Sequence, residues 1–204
     1  TRIYELKALT SQINPHFLYN TLDTIIWMAE FQDHQKVVDI TKALSNYFRL
    51  SLNAGEEIVT LRQEIEHVRQ YLFIQKERYG DKLEYEIDEP DDIPDIKLPK
   101  IVLQPLVENA IYHGIKESER PGKITITVSK RDTFIDICIA DNGVGIKENT
   151  TNTKELGGVG IKNIQERLAL FFGEAFSMEI ETETNAYTKV YLHLPLKEEG
   201  HANS

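Results

Sequence analysis

The chain has 204 residues, with 23 basic against 33 acidic side chains and a formal charge of −10, a balance that argues against nucleic acid or an anionic membrane as its main partner. Its single cysteine, Cys138, lies in an alternating apolar run, which excludes an intramolecular disulfide and suits a core position in a reducing compartment. No run of about 18 apolar residues occurs, so no segment reads as a membrane-spanning helix, and the length suffices for one good core plus a smaller helical module.

The opening residues, Thr1 to Leu6, read as the middle of a helix without a cap. The chain also starts without methionine, which predicts a piece of a longer protein. Residues 3 to 31 form one long expected helix, with Leu6, Leu9, Ile13, Phe17, Thr24 and Phe31 near one face. Inside it stands Asn14-Pro15-His16-Phe17-Leu18-Tyr19-Asn20. A proline in a helix interior costs roughly 3 kcal/mol, so the imidazole it sits beside is a candidate for chemistry. A second helix is expected over 35 to 53, giving a helical hairpin. Two helices bury too little apolar area to stand alone, which predicts a homodimer completing a four-helix bundle.

After Asn53-Ala54-Gly55 the chain restarts. Thr60 with Gln63 or Glu64 reads as a capping box for a helix to Tyr79, stopped by Gly80. The expected domains are therefore 1–57 for the hairpin and 58–197 for an α/β unit, with a tail at 198–204 and a hinge at 54–58. Leu83 to Ile87 alternates as a strand, and residues 88 to 99, with three prolines and five acidic residues, read as a loop. A helix is expected over 100 to 114. A hairpin of strands follows at 124–128 and 134–139, then a polar loop to about 158, a helix over 159–172, and strands at 176–182 and 188–194. One sheet covered on one face by helices gives an α/β sandwich, so the whole is α+β. The long polar loop exceeds ordinary connections, which marks it as functional or disordered.

Three segments of the second unit point to one ligand type. In Val107-Glu108-Asn109-Ala110-Ile111-Tyr112-His113-Gly114 polar groups interrupt an apolar helix, with Asn109 and His113 on one face. An asparagine carbonyl suits Mg²⁺ that keeps waters and bridges to phosphates. In Asp141-Asn142-Gly143-Val144-Gly145 a carboxylate leaves a strand end, where it can accept a hydrogen bond from an exocyclic amine such as that of adenine. Gly157-Gly158-Val159-Gly160-Ile161 runs straight into a helix, whose free N–H groups and dipole suit phosphate without net positive charge. His34, His67, His193 and His201 match no motif and read as surface or packing residues.

In this order and context the three segments resemble the N, G1 and G2 boxes of the GHKL ATPases, over roughly residues 98 to 196. Together with the NPHFLYN segment they are similar to the LytS/YesM-type sensor histidine kinases, over residues 6 to 196. The resemblance implies a Bergerat-type sandwich that binds ATP and Mg²⁺. In it Asp141 reads adenine beside Gly143, Gly145 and Ile146, and Asn109 holds the metal. His113 and Lys116 lie near the nucleotide, Gly158, Gly160 and Ile161 meet the phosphates, and residues 146 to 158 form a lid. It makes His16 the autophosphorylated residue and a response-regulator aspartate the next acceptor. It also implies a membrane sensor region upstream, this portion being cytoplasmic. Two departures stand out. Phe17 occupies the place of an acid that many such kinases carry, so the base must come from elsewhere; the resemblance implies Glu108, just before the metal-binding asparagine, with solvent as the alternative. Tyr112 stands where relatives often have lysine, so Lys116 or Lys162 would supply the charge. The alternative function is a nucleotide-binding module that hydrolyses ATP or switches shape without histidine phosphorylation.

Overall fold

The computed structural model describes residues 14–116, 118, 120–145 and 158–196. Helix α1 is Pro15–Glu30 and α2 is His34–Leu52. The expected portion of α1 before Asn14 lies outside the described residues. Pro15 is not in a helix interior. It occupies the first helical position, and Asn14, with φ −72° and ψ 104°, is the N-cap whose side chain accepts from the N–H groups of His16 and Phe17. There the missing proline N–H costs nothing and its fixed φ helps. The buried positions of α1 are Phe17, Thr21 and Met28, whereas Phe31, expected on the same stripe, falls beyond the helix end and is exposed.

Close to the boundary expected near residue 57, the chain passes through three successive residues of positive φ, Asn53, Ala54 and Gly55. The chain reverses there into β1 (Ile58–Thr60) and α3 (Leu61–Tyr79). Thr60 and Gln63 form the full capping box, and Gly80, at φ 57°, caps the C-terminus. The hairpin packs its apolar side on α3, and its core is continuous with that of the following unit. Phe17, Tyr47 and Tyr71 make an aromatic layer across α1, α2 and α3, with ring centroids 4.8 and 5.0 Å from Phe17.

The five-stranded sheet has the order β2-β4-β5-β7-β6, with β2 (Leu83–Asp88) parallel to β4 (Gly122–Lys130) and the other pairs antiparallel. The remaining members are β5 (Phe134–Asp141), β6 (Ser177–Glu183) and β7 (Tyr187–Pro195). Alternation sends Ile124, Ile126, Val128, Ile135, Ile137, Ile139, Leu192 and Leu194 inward. Helix α4 (Leu103–Asn109) and α5 (Gly158–Phe172) contribute Leu103, Leu106, Val107, Ile161, Ile164 and Leu168 to the same core. Cys138 is half-buried on the opposite side of its strand. The acidic loop contains an unexpected short strand, β3 (Lys97–Pro99), which pairs with β1 and ties the two ends of α3's surroundings together.

His67, on α3, is 2 % exposed, stacks on Tyr47 at 4.6 Å and lies 2.7 Å from Ser51 Oγ through Nε2. Burial pulls its pKa from 6.5 down to about 4. Between those values the unfolded chain binds a proton that the folded chain refuses. Stability therefore falls as pH drops from about 6.5 to about 4, by up to about 3 kcal/mol. Urea titrations at pH 7 and pH 4.5 check this: His67→Phe, which keeps the stack, should flatten the acid limb even if it lowers stability at pH 7.

Candidate functional site

The site is assembled where helices meet the ends of the central strands. Helix α4 continues into a π turn, Ala110–Ile115, which packs on β4, β5 and β7. Such a widened turn shifts the register of the side chains that follow Asn109, and π turns recur at functional sites. The Asn109 Nδ2 is buried and has no hydrogen-bond partner among the described residues. A half-turn of the amide places its carbonyl there instead, so this side chain has an unmet polar valence facing its surroundings. Glu108 is tied by its Oε1 to Gln104 Nε2 at 2.9 Å, and burial raises its pKa. The same Gln104 nitrogen donates to Tyr47 Oη at 2.7 Å. Both amide protons of Gln104 are thus used, one toward the hairpin and one toward Glu108.

Strand β5 delivers Asp141 to the sheet end. Its side chain is buried, its Oδ1 accepts from Gly143 N–H at 2.9 Å, and burial raises the carboxyl pKa to about 6, the Gly143 bond pulling the other way. Asn142 pins the turn by accepting at Oδ1 from Lys123 N–H at 2.6 Å. Gly145 has φ +65°, and a Cβ there would lie 2.2 Å from Glu183 O, so this position admits only glycine. Gly160 differs: the space a Cβ would take is open, so the protein's own packing does not demand glycine, and a ligand has room to approach. Ile161 behind it is buried.

Glu108 and Asn109 on α4, Asp141 and Gly143 at the end of β5, and Gly160 and Ile161 in the first turn of α5 thus sit on adjoining elements, α4 packing against α5. The expected roles at Ile146, over most of the lid and at the His113 side chain fall outside the described residues, as does His201. Lys116 is exposed, with its ammonium 5.4 Å from the Tyr112 ring centroid. Lys162 pairs with Glu166 at 3.7 Å. His193 pairs with Asp136 at 2.7 Å on the sheet and His34 opens α2, so neither joins the site. His16 is exposed in the first turn of α1, with Asn20 Nδ2 at 3.1 Å from Nδ1 and 3.2 Å from Nε2. It is not brought to the nucleotide-type residues directly. Its neighbour Phe17 is, through the aromatic layer whose Tyr47 contacts Gln104.

Two groups escaped the sequence reading. Glu64, on α3, accepts from the N–H groups of Ile101, Val102 and Leu103 at 2.5, 2.7 and 3.0 Å and so caps α4 from 37 to 39 residues away. Arg120 gathers carbonyl oxygens around the loop after Asp141. Neither has a local signal, because both partners are backbone groups distant in sequence.

A mixed five-stranded sheet under α4 and α5, preceded by a helical hairpin and carrying a buried carboxylate at the end of β5, defines an α/β sandwich of the GHKL type. Residues 95–198 match the family described as histidine kinase-, DNA gyrase B- and HSP90-like ATPase, and residues 4–83 match the family described as histidine kinase. The chain belongs to the histidine kinases of this ATPase family. Its similarity to the sensor histidine kinase YesM of Bacillus subtilis is 36% over 195 residues, covering 96% of this chain and 34% of that protein. The sensor histidine kinase BtsS of Escherichia coli is 35% identical, over 96% of this chain and 34% of its own length. The sensor protein LytS of Bacillus anthracis is 32% identical, over 95% and 34%. The chain thus spans about a third of the length of these relatives. Among solved structures, the histidine kinase domain of the blue-light activated kinase from Erythrobacter litoralis shares the fold with a TM-score of 0.56 at 15% identity, covering 95% of this chain and 94% of that one.

Proposed function

We propose that this chain is the kinase core of a two-component sensor histidine kinase that phosphorylates itself on His16 from ATP and passes the phosphoryl group to an aspartate of a response regulator. The observation that carries the reading is Asp141, a buried carboxylate at a strand end, held by Gly143 and flanked by glycine turns, in the same chain as an exposed histidine on a hairpin. In this reading Asp141 accepts from the adenine amine, and the backbone near Gly158 and Gly160 faces the phosphates. Family membership and the relatives' names support the kinase reading.

The donor set fits Mg²⁺: among the described residues, the Asn109 amide has a buried atom, Nδ2, with no hydrogen-bond partner, which a half-turn would replace by the carbonyl oxygen, and no group of three or more His, Cys, Asp or Glu forms a cage. Asn109 would hold the ion, which when bound supplies charge neutralisation for the phosphates. His16 attacks as the neutral imidazole, and Glu108, held by Gln104 and made more basic by burial, receives its proton. Residues 54 to 58 serve as the hinge that lets the two units approach. Tyr19, Leu22, Ile26, Trp27, Phe31 and Val38 leave an exposed apolar face on the hairpin, which supports a homodimer closing a four-helix bundle. No described helix is long and apolar enough to cross a membrane. A sensor region elsewhere in the full protein is supported by relatives that are named as sensors and are about three times the length of this chain.

Incubation with γ-labelled ATP should give acid-labile, alkali-stable phosphate on the chain. Asp141→Asn should weaken ATP binding about a hundredfold, the worth of a charge-assisted hydrogen bond in a buried site. In the wild type, affinity should fall as pH drops below about 6, where Asp141 takes up a proton. Fluorescent-nucleotide titration from pH 5 to 8 checks both, and a wild-type slope retained in Asp141→Asn would assign the titration elsewhere.

A further inference from the structure

Arg120 stands in the segment between the π turn and β4, and its partners are carbonyl oxygens from two distant stretches of chain. Its Nη2 lies 2.7 Å from Asn142 O, 3.1 Å from Gly143 O, 3.0 Å from Asn185 O and 3.0 Å from Ala186 O, and its Nε lies 3.1 Å from Asn142 O. The first pair of carbonyls belongs to the loop that leaves β5 just after Asp141. The second belongs to the turn between β6 and β7. Two further contacts press the same surfaces together: Asn185 N–H donates to Val144 O at 2.6 Å, and Gly145 leaves no room for a Cβ against Glu183 O. One planar cation, at an exposed position, thus spans converging carbonyl dipoles, a task that suits a guanidinium fork better than an ammonium.

We propose that Arg120 is a positioning residue that sets purine specificity at the nucleotide site, by fastening the Asp141–Gly145 loop to the β6–β7 turn. The proposal rests on the reading of Asp141 as the adenine acceptor. A carboxylate in a fixed place attracts the amine at C6 of adenine and repels the carbonyl at C6 of guanine. That contrast is large only if Asp141 and the Gly143 backbone cannot move apart to admit water between carboxylate and base. Asp141 is held on its strand side by β4 and β7 pairing. On its loop side, Gly143 N–H fixes the carboxylate, and Gly143 O is one of the oxygens that Arg120 holds. Release of Arg120 therefore loosens the side of the pocket on which discrimination depends, while Asn142, bonded to Lys123, preserves the fold of the turn.

The experiment uses the whole chain with Arg120→Ala and Arg120→Lys, and reads ATP and GTP dissociation constants by titration with fluorescent analogues. The ATP-over-GTP preference should fall about tenfold in Arg120→Ala, and Arg120→Lys should recover only part of it because the fork is lost. In the ligand-free chain, amide exchange at Gly143 and Val144 should accelerate, with the exchange of β4 unchanged. A preference within twofold of wild type in Arg120→Ala overturns the proposal, as does full rescue by lysine. Failure of the underlying reading looks different: the wild type binds ATP and GTP equally, or Asp141→Asn leaves ATP affinity intact, and either result removes the proposal as well.

Discussion

Replacing His16 by glutamine should abolish acid-labile phosphate incorporation while leaving ATP affinity within twofold of wild type. The side chain is exposed, so the substitution removes chemistry and little stability, about 0.5 kcal/mol or less. The cap on α1 survives, because Asn14 bonds the backbone N–H of residue 16 rather than its ring. What is lost is a nucleophilic nitrogen. The Asn20 amide lies 3.1 Å from Nδ1 and 3.2 Å from Nε2, so the ring is in contact with one polar neighbour and otherwise open to solvent. Phe17 contributes no proton acceptor; it is buried and anchors the helix to Tyr47 and Tyr71. In the proposed mechanism the acceptor is Glu108. Glu108→Gln should slow labelling about a hundredfold or more with ATP affinity retained. Full-rate labelling of that variant would return the proton to solvent, whereas undiminished labelling of His16→Gln would move the acceptor to another residue.

Glu64→Ala should destabilise the chain by about 4 kcal/mol, lowering the melting temperature by roughly 10 °C. The carboxylate is fully enclosed and accepts three consecutive backbone N–H groups at the start of α4. Burial raises its pKa while those three donors lower it, so its ionised form depends on them. Val102, the N-cap of α4, offers no side-chain oxygen of its own. Ile101 takes φ +56°, costly for a β-branched residue, and is kept there by the same contact. Arg167 of α5 completes the arrangement by donating to Lys100 O at 2.7 Å. Alanine leaves two buried donors and one half-buried donor without acceptors, whereas glutamine keeps one oxygen and should recover about half of the loss. Calorimetry on both variants measures this; a loss below about 1 kcal/mol for alanine would show that water replaces the cap.

The two effects separate the functions of neighbouring elements. His16 lies on a surface where chemistry costs no packing, and Glu64 lies in the joint that sets where α4, and hence Asn109, begins. Between them Tyr47 and Gln104 make a continuous path from the hairpin to Glu108.

Much of the secondary structure was legible because its signals are local. The capping box at Thr60 and Gln63, the stop at Gly80 and the period-2 runs of β4, β5 and β7 each involve residues a few positions apart. Pro15 was misread because a proline after Asn marks a helix start as readily as a kink, and only the backbone angles of Asn14 distinguish them. Strands β1 and β3 went unseen because each is three residues long, and β3 lies in a proline-rich, acidic stretch. The three segments proposed to meet the nucleotide stand out by composition and order, since glycines, an aspartate and an asparagine are conspicuous in apolar surroundings.

The amino-acid sequence by itself determined the order of elements, the placement of Asp141 at a strand end, the glycine turns beside it and the histidine of the hairpin. Tertiary structure alone decided what holds those groups in place: Glu64 capping α4, Gln104 bridging Tyr47 and Glu108, and Arg120 joining the loop after Asp141 to the β6–β7 turn. The physical reason is one of range. Propensity and periodicity act over a few residues, whereas these contacts join a side chain to groups far along the chain, which become neighbours only when the core closes.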